Sequence, residues 1–328
     1  MKFGKILAVA ALAATTAGLA VPAQAKTISV AFVPKLQGIP YFEAMNEGGK
    51  EAAKKLGIKW LYQGPTSADA AAQADIVRSF IQQRVSTLMV APNDPDSMAP
   101  LLRQARSRGI KVGTADTDAP HSVRQVFVEQ ASTEGLGRAL TDALMKAMGG
   151  KGEYAIVSCG ETAANLNSWI AVQKAYTKEK YPDAKIVDIV YAGENQAKAT
   201  SMATNLMNAH PHLTGLVGEC TSSAPAVAQA VENAGKIGKV FTVGLGTPKS
   251  MAPYLKDGSS SASILWNVKN LGYLTAWAGK QLAENKPFKP VNDVNADMPK
   301  VRYDAKTKVL LLGKPLIITK DNVDQFNY

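Results

Sequence analysis

From Thr27 onward, short apolar runs rich in β-branched residues alternate with longer stretches of amphipathic character. The runs predict strands at Ile28–Val33, Ile58–Tyr62, Thr87–Ala91 and Ile110–Thr114. The stretches between them predict helices at Tyr41–Leu56, Asp69–Gln83 and Asp96–Arg108. Gly57 and Gly109 stand where a helix C-cap wants a residue free to take positive φ. The same rhythm restarts at Glu153. Strands are expected at Tyr154–Ser158, Lys185–Tyr191, Leu213–Gly218 and Val240–Gly244, and helices at Ala164–Glu179, Gln196–Ala209 and Ala224–Asn233. Strand–helix alternation at this spacing implies right-handed βαβ units and parallel sheets.

The two halves repeat weakly. Thr87-Leu-Met-Val-Ala-Pro-Asn-Asp94 parallels Thr214-Gly-Leu-Val-Gly-Glu-Cys-Thr221, and each is followed by a helix, a glycine and a Lys-Val strand start. The expected fold class is α/β, with two similar doubly wound parallel-sheet lobes joined by hinge strands. The tail breaks the rhythm. Ser261–Leu265 predicts a strand, Leu271–Glu284 a helix, and Val309–Leu312 with Leu316–Ile318 a hairpin around Gly313-Lys314. The expected division gives residues 26–130, with roughly 267–296, to the N-terminal lobe. Residues 131–266, with roughly 297–328, go to the C-terminal lobe.

Residues 1–25 carry a different signal. Lys2 and Lys5 precede an apolar run from Ile6 to Val21, and Ala23-Gln24-Ala25 is a small-x-small cleavage site. This is the pattern of a secretory signal peptide cleaved after Ala25. Nothing later is apolar for long enough to cross a membrane, so a soluble, exported, periplasmic protein is expected. The remaining chain exceeds the roughly 100–200 residues of one domain, which suits two lobes. With 46% hydrophobic residues it can fill sizeable cores. The formal charge of +10 is spread over scattered lysines. No basic stripe interleaved with aromatics points to nucleic acid.

Open α/β sheets bind ligands at the carboxyl edges of their strands. The stretch Val30-Ala-Phe-Val-Pro-Lys-Leu-Gln-Gly-Ile-Pro-Tyr-Phe42 delivers Lys35 and Gln37 to such an edge, followed by Tyr41 and Phe42. The other strand ends collect Asn93 and Asp94, Asp116 and Asp118, Asn165 and Asn167, Glu219 through Thr221, and Trp266 with Asn267. Carboxylates accept hydrogen bonds, a lysine donates them, and amides do both. Aromatic planes pack on the apolar C–H faces of a sugar ring. The set therefore suits a small, neutral, polyhydroxylated ligand. Some members have plainer roles: Asn93 and Asp94 precede a helix as N-caps, and Trp169 falls on the apolar side of its helix.

The search for catalysis finds little. There is no Gly-x-Ser-x-Gly elbow and no phosphate loop, and Gly244-Leu-Gly246 lacks the third glycine of a dinucleotide fingerprint. His210-Pro-His212 has no third ligand nearby. No cofactor or metal is expected, and the chain is not read as an enzyme; a sugar-processing enzyme using the cleft carboxylates is the alternative from another class. Cys159 and Cys220 end the first and third strands of the second half, neighbours in a doubly wound sheet. Two readings stand open for them: one disulfide, or two small buried residues beside the pocket.

These residues together resemble a known family, the bacterial periplasmic sugar-binding proteins of ABC importers. The likeness rests on Val33-Pro-Lys-Leu36 with Tyr41-Phe42, Tyr62-Gln-Gly-Pro-Thr66, Ala91-Pro-Asn-Asp-Pro-Asp96 and Asp116-Thr-Asp118. It continues through Glu129-Gln130, Asn165-Leu-Asn167 with Trp169, Gly246-Thr-Pro248 and Leu265-Trp266. It covers the whole chain after the leader and is nearest to the rhamnose-binding and autoinducer-2-binding branch. The resemblance implies a type I periplasmic binding fold and a monomer that serves a membrane permease, with a chemoreceptor as a second partner. It implies that Lys35, Asp116, the Asn165–Asn167 segment and the Glu219–Thr221 turn touch ligand, with Phe42 and Trp266 as apolar walls. The chain also departs from the branch. Autoinducer-2 binders carry Asp-Gln in place of Asn165-Leu166, Pro-Asp-Ala in place of Glu219-Cys220-Thr221, and an aspartate in place of Asn267. These departures favour a different monosaccharide or polyol, such as a rhamnose-like sugar or a pentose, with an autoinducer-2 receptor as the alternative.

Overall fold

Val30, Ala31, Phe32 and Val33 are all fully buried, because helices cover both faces of the strand they form. A strand sandwiched in this way reads as a continuous apolar run. In the computed structural model, which describes Met1 and residues 27–328, this run is strand β1 (Ser29–Val33). The leader and its cleavage after Ala25 lie outside the described residues.

The chain continues through α1 (Pro40–Leu56), β2 (Lys59–Tyr62), α2 (Ala70–Gln82), β3 (Thr87–Val90), α3 (Pro95–Ser107), β4 (Lys111–Ala115) and β5 (Phe127–Ala131). It then crosses to a second lobe with α4 (Thr133–Met148), β6 (Gly152–Ser158), α5 (Ala164–Lys180), β7 (Ala184–Tyr191) and α6 (Gln196–Ala209). That lobe goes on with β8 (Leu213–Gly218), α7 (Ser223–Asn233), β9 (Phe241–Gly244), α8 (Pro248–Asp257) and β10 (Ala262–Leu265). The return brings α9 (Val268–Ala283), β11 (Val291–Asn292), β12 (Val301–Asp304), β13 (Val309–Gly313) and β14 (Leu316–Ile318).

The two lobes share one topology. The first sheet contains the order β5-β4-β3-β1-β2, and the second the order β10-β9-β8-β6-β7, all parallel within these runs. These are equivalent doubly wound arrangements, as the internal repeat predicts, and in such sheets the crevice beyond the carboxyl ends binds ligand. Local signals act as expected. Gly57 takes φ 66° and its N–H donates to Ala53 O, while Asp69 and Asp94 accept N-cap hydrogen bonds from Ala71, Ala72 and Ser97 N–H groups.

The tail corrects the expected division. β13 does not form a hairpin with β14. It pairs parallel to β5 and antiparallel to β12 in the first sheet, whereas β14 pairs antiparallel to β10 in the second. Residues 301–313 thus extend the N-terminal lobe, and the chain changes lobes between Gly313 and Leu316. Pro315 has no N–H for a hairpin ladder, and each strand finds an open sheet edge instead. The lobes are therefore joined after β5, after β10 and after β13. Close packing of α1 on α9 sets the cleft wall: Gly48 and Gly272 bring each helix onto the other's backbone at Lys269 and Met45, with no room for a Cβ.

Candidate functional site: a cleft between the lobes

Lys35 anchors the first wall. It is only 5% exposed, and its main chain is held before its side chain is. Gln73, fully buried on α2, donates from Nε2 to Pro34 O (2.9 Å) and Ala91 O (2.8 Å). Gln73 Oε1 accepts from the Asn93 N–H at 2.9 Å, and Asn93 Nδ2 donates to Lys35 O at 2.7 Å. Asn93 is thus a brace beneath the site rather than a wall of it, while Asp94 is the N-cap of α3.

The Lys35 ammonium crosses the cleft. Nζ donates to Asn165 Oδ1 of the second lobe at 2.9 Å and lies 3.4 Å from Asp116 Oδ2 of its own. Asp116 reaches this position because the chain turns through a left-handed backbone (φ 67°) just after β4, a region that aspartate tolerates better than most residues. Its carboxylate also accepts from Tyr41 OH (2.7 Å) and Thr117 Oγ1 (3.2 Å). Burial, reinforced by the adjoining Asp116 charge, holds the Tyr41 phenol well above its usual pKa. Tyr41 is therefore a donor that keeps its proton.

Facing these groups, the second lobe supplies Asn165, Leu166 and Trp169 from α5, Glu194 from the β7–α6 loop, and Glu219, Cys220 and Thr221 from the β8–α7 turn. Leu245 and Trp266 follow β9 and β10, and with Ile39 and Phe42 they close a cavity of about 40 Å³. The aromatics form a chain across it. Phe42 meets Tyr41 at 5.0 Å, Tyr41 meets Trp266 at 5.8 Å, and Trp266 meets Trp169 at 5.9 Å between ring centroids. Trp266 Nε1 is buried without a hydrogen-bond partner among the described residues. A second contact between lobes, Thr162 Oγ1 to Asn93 O at 2.9 Å, ties the cleft shut at its edge.

Two carboxyls, Glu219 buried and Glu194 half-buried, shape the second wall. Glu219 is fully buried, and burial pushes its pKa up to about 8 against the opposing hydrogen bonds of Gln173. Gln173 Nε2 lies 2.8 and 2.7 Å from its two oxygens. Glu194 is raised as well, chiefly by burial, with the Lys35 charge and Ser222 pulling the other way. Cys159 and Cys220 are joined by a disulfide, their Cα atoms 6.1 Å apart. That resolves the two open readings in favour of the bridge.

The structure brings Lys35, Tyr41, Phe42, Asp116, Asn165, Glu219, Thr221 and Trp266 to one cavity. It takes three expected residues elsewhere. Asp118 pairs with Arg124 (Nη2 to Oδ2, 2.7 Å) and accepts from Thr114 Oγ1 at 2.7 Å, lining a neighbouring cavity instead. Asn167 turns back along its helix start, donating to Glu161 O at 2.7 Å. Asn267 is the N-cap of α9 and accepts from Asn270 N–H at 2.9 Å. Gln37 is spent on Gly64 N–H. Conversely, Glu194 and Trp169 belong to the wall. Glu194 stands three residues beyond the predicted strand Lys185–Tyr191, so strand-end placement finds it; Trp169 falls on the apolar side of its helix, a position that reads as core.

Two equivalent doubly wound lobes, closed on a cavity at the carboxyl ends of both sheets, define a two-lobed ligand receptor. Residues 30–287 match the family model for the periplasmic binding protein domain, and the chain belongs to that family. It is 27% identical over 241 residues to the D-ribose/D-allose-binding protein of Pseudomonas aeruginosa, covering 70% of this chain and 74% of that one. Among solved structures it is similar to an ABC transporter solute-binding protein from Clostridium phytofermentas with bound L-rhamnose. That match has a TM-score of 0.85 and 29% identity and covers 91% of this chain and 98% of that one. It is also similar to LsrB from Clostridium saccharobutylicum in complex with AI-2, with a TM-score of 0.83 and 26% identity, covering 92% and 100%.

Proposed function

We propose that this protein captures a neutral monosaccharide or sugar-like polyol in the periplasm and delivers it to the membrane permease of an ABC importer. It acts as a monomer and catalyses no reaction. The observation that carries this reading is the Lys35 ammonium shared between Asp116 and Asn165 across the cleft, beside the Tyr41–Trp266–Trp169 chain. Charged and amide groups of that kind fix a hydroxyl pattern, and the rings take the apolar face of the same sugar. The proposed ligand contacts are Lys35, Tyr41, Phe42, Asp116, Asn165, Glu219, Thr221 and Trp266, joined by Glu194 and Trp169.

Capture is a population shift toward a state in which both walls touch ligand. The neutral character of the ligand follows from the wall. Asp116 already balances Lys35, the cation among the lining residues, so no unpaired positive charge is left to receive the carboxylate of a sugar acid. The names of relatives support the class: ribose or allose in one, L-rhamnose in another. The likeness to LsrB keeps AI-2 in view, but Glu219-Cys220-Thr221 gives the second wall a turn of different shape and chemistry from the Pro-Asp-Ala of that branch.

The test is a thermal-shift screen followed by calorimetry with hexoses, pentoses, deoxy sugars, polyols and AI-2. A true ligand raises the melting temperature with its concentration by mass action and binds with one-to-one stoichiometry. Turnover of a sugar without saturable binding would support the enzyme reading and overturn this one. Binding of AI-2 alone would move the assignment to a signal receptor.

A further inference from the structure

The sugar-like site has a covalent fastening that its ligand contacts do not require. Cys220 stands between Glu219 and Thr221 and itself lines the cavity, while Cys159 follows β6 on the loop that leads into α5 and Asn165. The disulfide thus ties together two of the loops that form the second wall. A third loop is fastened at the same point. Glu194, after β7, accepts from Ser222 Oγ at 2.9 Å, and its carboxylate lies 3.7 Å from Cys220 Sγ.

Glu219 has its own supports, Gln173 on the carboxyl and Val157 O on the N–H, whereas the Cys220–Ser222 part of the turn leans on the sulfur. Ser222, the N-cap residue of α7, makes no side-chain capping bond. The Ser223 N–H donates instead to Cys220 Sγ at 3.4 Å, and Cys220 N–H donates to Ser223 Oγ at 3.1 Å. The sulfur therefore serves as bridge, cavity wall and helix cap together.

We propose that the Cys159–Cys220 disulfide is a positioning element of this site, so that ligand affinity depends on its oxidation state. The proposal rests on the sugar-receptor reading above. A dithiol reductant would open the bridge by attack of one thiolate on a cysteine sulfur. The other cysteine leaves as a thiolate and takes up a proton. The reductant's second thiol then resolves the mixed disulfide, leaving two cysteine thiols and an oxidised, cyclic reductant. A bond of about 2.05 Å is thereby replaced by a non-bonded contact of roughly 4 Å. The sulfurs must separate by more than the roughly 0.5 Å tolerance of a preorganised site, and because Cys220 lines the cavity that displacement falls on the site itself. Thr221 moves with Cys220 while Glu219 stays on Gln173, so the Cys220–Thr221 part of the second wall loosens and the first wall, braced by Gln73 and Asn93, does not.

Reciprocity supplies a readout that a merely structural bridge would not give. If oxidation tightens binding by some factor, ligand must stabilise the oxidised form by the same factor. The experiment uses the wild-type protein and the Cys159→Ser/Cys220→Ser variant, with L-rhamnose, D-ribose and D-arabinose as probes and any further hit from the screen. Calorimetry compares oxidised with dithiothreitol-reduced protein, and circular dichroism verifies that both are folded at the assay temperature. A dithiol redox titration then locates the midpoint with and without saturating sugar.

The expected result is a Kd at least tenfold higher in the reduced protein and in the variant. The sugar should shift the oxidised-to-reduced ratio at fixed redox buffer by the same factor. Equal Kd values in the two forms, or a midpoint that sugar does not move, overturn the proposal alone. Failure of the oxidised protein to bind any probe overturns the sugar-receptor reading, and this inference with it. Should the variant not fold, the midpoint measurement on wild-type protein decides.

Discussion

Glu219 gives a prediction that needs no ligand. It is fully buried, and its pKa rises from 4.5 to about 8 because burial disfavours the charged form. Below pH 4.5 the carboxyl is protonated in both the folded and the unfolded chain, and its contribution is fully present. Between 4.5 and about 8 the unfolded chain ionises while the folded chain holds the proton, so stability falls as pH rises. Above about 8 both are ionised and the loss is complete. At 1.36 kcal/mol per pH unit this interval amounts to ~5 kcal/mol as a ceiling, or ~8 °C in Tm for a chain of this size. Glu219→Gln removes the titration while keeping shape and a neutral polar head. A protonated Glu219 favours the Gln173 orientation in which Oε1, buried and unpartnered as placed, accepts the carboxyl proton. Urea denaturation of both proteins at pH 5, 7 and 9 isolates the effect, since Glu129, raised to about 7 by burial, titrates alike in both. The variant's stability relative to wild type should climb by several kcal/mol between pH 5 and 9. Parallel profiles would refute the argument, showing Glu219 ionised and satisfied in the folded protein at neutral pH.

Other expectations separate site from scaffold. Asp116→Ala should weaken binding of the screened ligand roughly 30- to 100-fold by calorimetry, the effect of losing a charged acceptor worth ~2–3 kcal/mol. Asn93→Ala should instead lower stability by ~1–3 kcal/mol in denaturant titration, with a smaller loss of affinity. Equal affinity losses would mean that the brace itself contacts ligand. Gly48→Ala forces a methyl onto the Lys269 main chain and should cost at least ~1–3 kcal/mol, the overpacking range, read as a lowered denaturation midpoint. Reduction of the disulfide removes a constraint across a sequence separation of 61. It should cost up to ~4 kcal/mol by chain entropy, measured by urea titration with and without reductant.

What the chain disclosed beforehand follows from where its information is local. Strand ends and glycine caps are written in neighbouring residues, so the two lobes and the Lys35–Phe42 wall were legible. Partners chosen across space were not. Asp118 looks like a ligand residue until Arg124, six positions on, claims it. Gln73 reads as one more polar helix residue, yet it holds the Pro34 and Ala91 carbonyls. The segment Phe127–Ala131 carries Glu129 and Gln130, which hid the crossing strand β5. Gly313-Lys314 suits a hairpin and a crossover equally. Only the open edges beside β5 and β10 decide that β13 and β14 part company.

The two walls of the cleft are held by different means, and that difference bears on specificity. On the first lobe, Lys35 is fixed by a hydrogen-bond brace within its own sheet, and Asp116 by a constrained backbone turn with two hydroxyl donors. Changing the ligand without disturbing these supports is difficult, because each contact residue is also part of the lobe's interior. On the second lobe, the Glu219–Thr221 turn precedes a helix whose N-cap residue, Ser222, makes no capping bond, and it is fastened by the disulfide, Glu194 and Gln173. Residues there can vary while sheet and helix stay intact, provided some fastening remains. Two of the three departures from the autoinducer-2 branch, Asn165-Leu166 and Glu219-Cys220-Thr221, fall on this wall, and the third, Asn267, caps α9 outside the cavity. On the proposed reading, the first wall sets what class of ligand enters, and the second sets which member of that class is retained.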